Sequence, residues 1–179
     1  MKLNKLFILL CMVSCVPMAC GQSPKGKKNT KSAVPSATVD YTQIGASLPA
    51  MKIYTIEGQR LTENDLKGEG NLIVMLFNPT CGHCEDQVLL LKEHRDKIQN
   101  HKLVLLAADN MVAHLGYFQQ ITGTAEMKEM ILGVDSAAYI EQTFLQTTLP
   151  QLNVYNKDRK LVHIFQGLTP IDSLKSYLD

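Results

Sequence analysis

Two cysteines, Cys81 and Cys84, are separated by two residues in the body of a 179-residue chain. The other three cysteines all lie within the first twenty residues. A small disulfide-stapled domain would distribute its cysteines along the chain, whereas a single close pair is typical of a reactive site. The Cys-x-x-Cys spacing therefore predicts a thiol–disulfide redox centre at Cys81 and Cys84.

The segments on either side of the pair predict how it is positioned. A continuous apolar run over residues 72–77 is typical of a buried central strand, and a short turn follows it. After Cys84 the apolar residues change to helical spacing, with Val88, Leu91 and Ile98 on one face. We expect Cys81 to lie where the strand passes into the N-terminus of a helix.

This placement predicts different roles for the two sulfurs. The thiolate is the nucleophile, and the unpaired N–H groups and dipole of a helix N-terminus stabilise negative charge on Cys81. His83, when protonated, adds a positive charge nearby. Cys84 lies one turn further along and is expected to be more buried. Cys81 is therefore predicted to attack a substrate sulfur, and Cys84 to resolve the mixed disulfide.

A close cysteine pair has three other common uses. A buried, inert disulfide has the same spacing, and it remains an alternative interpretation of the pair. A zinc site needs two further ligands at short spacing, but the remaining histidines are scattered at His94, His101, His114 and His163. A c-type haem site needs a histidine directly after Cys84, where Glu85 stands. We therefore predict no metal ligands and no cofactor.

The composition is that of an ordinary globular protein. Apolar residues make up 45% of the sequence and charged residues 20%, which is typical of a chain that folds around one core. The formal net charge is +1, and it becomes −1 without Lys2 and Lys5 of the first twenty residues. Nucleic-acid binding requires a basic surface, so we expect no nucleic-acid partner.

Residues 1–20 have the order of a secretory signal peptide: two lysines, a short apolar run and then small residues. The apolar run is too short for a comfortable transmembrane helix. Residues 16–21, Val-Pro-Met-Ala-Cys-Gly, resemble the lipobox of bacterial lipoproteins, in which the cysteine becomes the lipidated first residue. The resemblance implies lipidation of Cys20, with Cys15 as the alternative residue. An ordinary signal that is cleaved nearby without a lipid is the other interpretation.

The rest of the chain divides into a tether and one folded domain. Residues 21–45, rich in Ser, Lys, Pro and Thr, predict a flexible tether. Residues 46–179 predict an α/β domain with a mixed sheet of four or five strands and helices on both faces. Further strands are predicted at 51–56, at 102–108, before the turn at 156–160, and at 161–165. Helical segments are predicted at 62–66 (a capped turn), 112–121, 125–132, 137–145 and 170–178.

Residues 52–165 resemble a thioredoxin-like domain of the extracytoplasmic, TlpA-like kind. The resemblance depends on the turn at Gly58, residues 66–68, the strand leading into Cys-Gly-His-Cys, the Thr-Leu-Pro at 148–150 and the closing turn at 156–160. It implies a thioredoxin-like fold in which Pro150 is a cis-proline that faces the cysteine pair. It also implies that the backbone beside Pro150 lines the substrate groove and pairs with an extended chain of the partner.

The chain departs from this family pattern around the pair. Thr80 stands where relatives have an aromatic residue, and Met75 stands where thioredoxins have a buried acid that helps to move protons. Proton transfer at the second cysteine then depends on water, Glu85 or Asp86, unless these acids only complement the helix dipole. The Gly-His dipeptide matches protein disulfide isomerase, which implies roughly −180 mV instead of the about −270 mV of thioredoxin.

The resemblance implies a thiol–disulfide oxidoreductase, either a disulfide reductase or an isomerase, in the bacterial cell envelope. Its expected partners are disulfide- or dithiol-bearing envelope proteins on the periplasmic or exterior side, and a membrane electron donor is expected to reset the pair. Relatives of this kind often serve cytochrome c maturation or general disulfide reduction. The alternative is a non-catalytic binding module that keeps the fold and a structural disulfide. The intact pair, flanked by His83 at a predicted helix start, favours the enzyme.

Overall fold

The computed structural model describes residues 39–178 of the chain. The predicted signal peptide, the candidate lipidation residues Cys15 and Cys20, and residues 21–38 of the predicted tether lie outside the described residues. Of the helices between residues 39 and 178, none is long and apolar enough to cross a membrane.

Seven β-strands form one mixed sheet within the described part of the chain. In chain order they are β1 (Ile53–Thr55), β2 (Arg60–Leu61), β3 (Leu72–Leu76), β4 (Lys102–Ala108), β5 (Met130–Asp135), β6 (Gln151–Tyr155) and β7 (Leu161–Gln166). Their order across the sheet is β2–β1–β5–β4–β3–β6–β7. Strands β3, β4 and β5 are parallel, and every other pairing is antiparallel.

Helices connect or follow these strands. The α-helices of the described residues are α1 (Gly82–Glu93), α2 (Arg95–Ile98), α3 (Leu115–Thr122), α4 (Ala137–Phe144) and α5 (Ile171–Leu178). Two 3-10 segments, Asp109–His114 and Thr124–Glu126, flank α3. The chain passes from β3 through α1 to β4, which pairs with β3 in parallel as predicted.

Strand β3 lies inside the sheet because its sequence leaves no side chain suited to solvent. Its five residues, Leu-Ile-Val-Met-Leu, are all apolar and all buried. A strand that is covered on both faces has such a continuous apolar run. Odd and even positions of β3 therefore supply two separate apolar layers, one on each face of the sheet.

Each layer is completed by helices, which confirms the predicted α/β fold with helices on both faces. On one face, Ile73 and Met75 pack with apolar residues of α1, α3 and α5, which include Cys84. On the other face, residues 72, 74 and 76 pack with Ile140 and Phe144 of α4 and with the chain before and after β1. The redox helix α1 thus rests on the layer that contains Met75.

The prediction of a helix at 125–132, and with it the prediction of only four or five strands, is wrong. Met130–Asp135 is strand β5, which pairs with β4 on one side and with β1 on the other. A methyl group added at Gly133 would lie 2.7 Å from the Ile53 side chain and 2.8 Å from the Tyr54 carbonyl oxygen. This glycine lets β1 approach closely, and such a close approach is a long-range feature that local spacing does not show.

The structure confirms the short capped turn at residues 62–66 but shortens the helix predicted from residue 112. The N–H groups of Asp65 and Leu66 donate to the carbonyls three residues earlier, and the Thr62 N–H and hydroxyl donate to the Asp65 carboxylate at 2.8 Å each. The predicted helix is a 3-10 segment up to His114, and α3 begins at Leu115.

The described end of the predicted tether contacts the sheet. The Gly45 N–H donates to the Leu161 carbonyl at 2.8 Å, and the Leu161 N–H donates to the Ala46 carbonyl at 2.8 Å. Backbone pairing with the start of β7 therefore begins at residue 45.

Candidate active site

The turn that presents Cys81 is braced by its own side chains. The Asn78 side-chain oxygen accepts hydrogen bonds from the Thr80 N–H and the Thr80 hydroxyl, both at 2.9 Å. The Asn78 carbonyl accepts the Cys81 N–H at 3.0 Å. Asn and Thr stabilise tight turns in this way. Thr80, at the position where relatives have an aromatic residue, is thus part of the turn, and Asn78 shapes it as the sequence indicated.

Cys81 is the N-cap residue of α1. Its backbone is extended, with φ −101° and ψ 115°, and its carbonyl accepts the N–H groups of Cys84 at 3.0 Å and Glu85 at 3.1 Å. Its side chain makes no capping hydrogen bond, and it is half-buried. The sulfur therefore stands at the N-terminal end of the helix without a structural task there. This is the placement that the sequence predicted.

Cys84 has a different environment one turn later. Its side chain is fully buried in the apolar layer that contains Met75 and Val88. Burial raises the pKa of the Cys84 thiol to about 12, and a hydrogen bond to the Cys81 side chain raises it further, while a backbone hydrogen bond from Asn78 opposes the shift. Cys84 thus holds its proton while Cys81 is in contact with solvent.

The residues around the pair lie mostly at the surface. His83 is exposed on the first turn of α1, Glu85 is half-buried and Asp86 is exposed. Met75 is fully buried in the same layer as Cys84, so an apolar side chain occupies the place of the family's buried acid. Proton exchange at Cys84 therefore has no acid at position 75 to assist it.

The peptide bond between Leu149 and Pro150 is cis, which confirms the implied cis-proline. Leu76, the last residue of β3, pairs with Gln151, the first residue of β6, so Pro150 directly precedes β6 at the end of the sheet where the redox turn starts. The Pro150 carbonyl accepts the Gly167 N–H at 2.8 Å. The sheet therefore brings the cis-proline to the same edge as Cys81.

Sequence reasoning missed one polar residue that positions the redox helix. Gln87 is fully buried on the inner face of α1. Its side-chain oxygen accepts the Thr169 N–H at 2.6 Å, and its side-chain nitrogen donates to the Thr169 carbonyl at 3.2 Å. This pair ties α1 to the loop after β7, next to Gly167. The available signal was a glutamine next to Val88 on the apolar face of a predicted helix.

Two of the other histidines, His101 and His163, take part in structural contacts, whereas His114 is exposed. His101 accepts the Asn71 N–H at its Nδ1 at 3.0 Å, and its Nε2 lies 3.1 Å from the Leu178 carbonyl at the end of α5. The His163 ring stacks on Phe165 at a centroid distance of 4.2 Å. Among residues 39–178, no group of three or more His, Cys, Asp and Glu side chains is arranged to hold a metal ion.

The strand order, the helix that starts after Cys81 and the cis-proline before β6 define a thioredoxin-like α/β fold. Solved structures share this fold. The thioredoxin domain of a thiol-disulfide oxidoreductase from Bacteroides vulgatus has a TM-score of 0.62 and 14% identity, over 76% of this chain and 99% of that one. A thioredoxin-like protein from Bacteroides caccae has a TM-score of 0.60 and 18% identity, over 76% of this chain and 49% of that one.

A third structure, StoA from Bacillus subtilis, has a TM-score of 0.56 and 15% identity, over 73% of this chain and 97% of that one. At these identities the likeness establishes the fold. No protein-family model and no curated protein matches the chain.

Proposed function

We propose that the protein is a thiol–disulfide oxidoreductase that acts on extracytoplasmic protein disulfides through Cys81 and Cys84. One observation carries the proposal: a half-buried sulfur at a helix N-terminus stands one turn before a fully buried sulfur. A nucleophilic thiol must reach its substrate, whereas a resolving thiol only has to reach the first sulfur. The fold shared with a thiol-disulfide oxidoreductase from Bacteroides vulgatus supports this class of reaction.

In the reducing direction, the Cys81 thiolate attacks one sulfur of a substrate disulfide and forms a mixed disulfide, while the other substrate sulfur leaves as a thiolate. Cys84 then gives its proton to water or a nearby base and attacks the Cys81 sulfur, which releases the second substrate thiolate. The substrate gains two electrons and, on protonation, two protons. The protein is left with a Cys81–Cys84 disulfide, and the isomerase or oxidase direction runs through the same bonds in reverse.

Two features near the cysteine pair, His83 and the backbone beside Pro150, are proposed to assist this reaction. In the proposal, His83 on the first turn of α1 stabilises negative charge on Cys81 when its ring is protonated. The backbone beside Pro150 pairs with an extended segment of the substrate and brings its disulfide to Cys81. A dithiol partner must return two electrons after each reduction, and we assign this task to a membrane electron donor.

The decisive experiment combines an activity assay with a trap. The wild-type protein is expected to catalyse reduction of insulin by dithiothreitol. Cys84→Ala, expressed in the native envelope, is expected to stay bonded through Cys81 to its substrates, because the resolving sulfur is missing. The double variant Cys81→Ala with Cys84→Ala is the control that should trap nothing. Absence of both insulin reduction and trapped partners contradicts the proposal.

The purified wild-type protein also tests the alternative function, that of a binding module with a structural disulfide. The reduction potential of the Cys81–Cys84 couple is measured against glutathione or dithiothreitol buffers. A value near that of protein disulfide isomerase, roughly −180 mV, supports exchange, whereas a value below about −300 mV indicates a structural bond.

The proposed location is the bacterial envelope, with a lipid on Cys20 and the domain facing the periplasm or exterior. The order of the first twenty residues and the lipobox-like segment support it. Metabolic labelling with a radioactive fatty acid should mark the wild-type protein and Cys15→Ala but not Cys20→Ala. Labelling of the wild type and Cys20→Ala but not of Cys15→Ala would move the anchor to Cys15, and no labelling of any form would indicate a cleaved signal without lipid.

A further inference from the structure

A cleft of about 330 Å³ adjoins the turn that carries Cys81. Its wall includes Asn78, whose carbonyl holds the Cys81 N–H, and Leu149, which forms the cis peptide bond with Pro150. The segment after β4 and the first turns of α4 complete it. A substrate whose disulfide reaches Cys81 therefore places neighbouring side chains over this cleft.

The lining of this cleft suits a long aliphatic side chain that ends in a cation. Met111, Ile140 and Leu149 give it apolar surface. Glu141 is the one charged side chain among the described residues that line it. The Glu141 carboxylate forms no ion pair and no hydrogen bond within residues 39–178. Lysine and arginine bury an aliphatic stem and keep the charge at the tip, which matches this arrangement.

A second cleft, of about 350 Å³, lies between α1 and the loop after β7. Its apolar lining is Leu89, Leu90 and Leu168, and its charged residues are Asp86 and Glu93. Leu168 follows Gly167, which bonds to the Pro150 carbonyl, so this cleft also adjoins the substrate end of the sheet. Both clefts thus combine apolar surface with carboxylates, and neither is lined by a described lysine or arginine.

Two cationic side chains, the buried Arg159 and the half-buried Lys102, are bound at the opposite end of the sheet. Arg159 donates to the Leu66 carbonyl at 2.9 and 2.6 Å, and Lys102 donates to the Asp65 carbonyl at 2.9 Å, before the first residue of β3. They stand near the start of β3, whereas Cys81 follows its end. The ion pairs of residues 39–178 join Lys92 to Glu126, Arg95 to Glu129 and Lys175 to Asp172, so the Glu141 and Asp86 carboxylates remain available to a substrate.

We propose that Glu141 and Asp86 select substrates in which a lysine or arginine stands beside the reactive disulfide. This inference rests on the proposed function and names the substrate class for the same site. The stem of the basic side chain lies against the apolar lining, and its charge pairs with the carboxylate at the rim. An acidic side chain at the same place meets repulsion from both clefts.

The experiment uses disulfide-linked dimers of a short peptide with lysine, norleucine or glutamate next to its single cysteine. Reduced protein is mixed with an excess of each dimer in a single-turnover experiment, and the second-order rate constant is obtained from the release of peptide thiol. Each value is divided by the rate of the same peptide with dithiothreitol, since a neighbouring charge changes the intrinsic reactivity of a disulfide. We expect the lysine peptide to exceed the glutamate peptide about tenfold at low salt, with a smaller ratio at high salt.

Single and double variants test whether Glu141 and Asp86 cause the preference for the lysine peptide. Glu141→Gln and Asp86→Asn should each lower the ratio about threefold, and the double variant should bring it near one. Glu57→Gln is the matched control, because it removes one carboxylate in the β1–β2 turn and lines neither cleft. Circular dichroism and urea unfolding check that the isosteric variants stay folded.

The outcomes separate this inference from the proposed function. Failure to reduce any peptide contradicts the oxidoreductase itself. Reduction of all three peptides at equal normalised rates overturns the charge selection and leaves the oxidoreductase intact. A lysine preference that Glu141→Gln, Asp86→Asn and the double variant all retain overturns the assignment to these clefts.

Discussion

The two ends of the central sheet use their polar side chains in opposite ways. The redox end comprises residues 77–81, 109–111 and 149–150, and the anchored end comprises 65–71, 100–102 and 156–160. At the anchored end, two cationic side chains are bound to backbone carbonyls of one loop. At the redox end, a short turn satisfies its own groups, while the Cys81 side chain makes no capping hydrogen bond and interacts with Cys84, its partner in the redox pair.

Arg159 shows how complete the anchoring is. Its buried guanidinium donates to the Leu66 carbonyl at 2.9 and 2.6 Å and to the Gly70 carbonyl at 2.9 Å. Burial lowers the pKa of this guanidinium below its usual value. Lys102 donates to two more carbonyls of the same loop at 2.9 and 2.7 Å. The Arg159 and Lys102 side chains therefore stabilise the fold and are not available to a ligand.

Stability and reactivity are thus separated along the strands of one sheet. Long-range hydrogen bonds fix the anchored end, so the redox end can keep a thiol available for exchange without loosening the fold. Changes at each end should therefore affect different measurements, and the largest effect is expected at Cys81.

Cys81→Ser should abolish exchange without destabilising the fold. A serine oxygen cannot form a mixed disulfide, so we expect insulin reduction to fall by roughly a thousandfold or more. The Cys81 side chain makes no capping bond and serine is a preferred N-cap residue, so the free energy of unfolding should stay unchanged or rise by up to about 1 kcal/mol. Thermal unfolding and the insulin assay measure both. A large loss of stability would show that the redox end is also part of the structural frame.

Arg159→Met should have the opposite profile. It leaves the Leu66 and Gly70 carbonyls without their donor, and we expect the free energy of unfolding to fall by about 3 kcal/mol in urea denaturation. Exchange per folded molecule should stay unchanged. Lys157→Met, an exposed change in the same turn, is the control. If Arg159→Met slowed exchange in the folded protein, the two ends would not be independent.

The resolving step should accelerate steeply with pH. The pKa of Cys84 is raised to about 12, so its thiolate fraction rises about tenfold for each pH unit below that value. Burial, the largest cause, persists once Cys81 is in a mixed disulfide. With 5,5′-dithiobis(2-nitrobenzoate), the second release of chromophore should be about a hundredfold faster at pH 9 than at pH 7. A plateau below pH 8 would contradict the prediction, and Cys84→Ala should lack the second release altogether.

Two glycine-to-alanine substitutions, one at each end of the sheet, should change the free energy of unfolding by different amounts, because only one of them causes a steric clash. A methyl group at Gly70 would overlap the Asn100 carbonyl oxygen, whereas one at Gly82, the first residue of α1, would meet no atom within 4 Å. We expect Gly70→Ala to lower the free energy of unfolding by about 2 kcal/mol. Gly82→Ala should be neutral or slightly stabilising, since alanine favours helix. Equal destabilisation by both would remove the contrast in packing.

Much of the site could be predicted because its parts are close in sequence. The strand, turn, cysteine pair and helix occupy residues 72–93, where the apolar spacing is strong. The cis-proline followed from the resemblance at 148–150. The contact between Gln87 and Thr169 could not be predicted, because it joins residues 82 positions apart. Strand β5 was missed for a related reason: its identity depends on pairing with β1 and β4, not on its own spacing.

The sequence by itself determined which two sulfurs are paired, that one precedes the other by a helical turn, and that an apolar strand leads into them. These features are local, and local periodicity and chain connectivity define them. Only the tertiary structure decided that Cys84 is fully buried, that Pro150 lies at the same end of the sheet as the redox turn, and that Glu141 lines a cleft beside that turn. Such features require segments far apart in the chain to meet, and their positions depend on how the whole sheet packs.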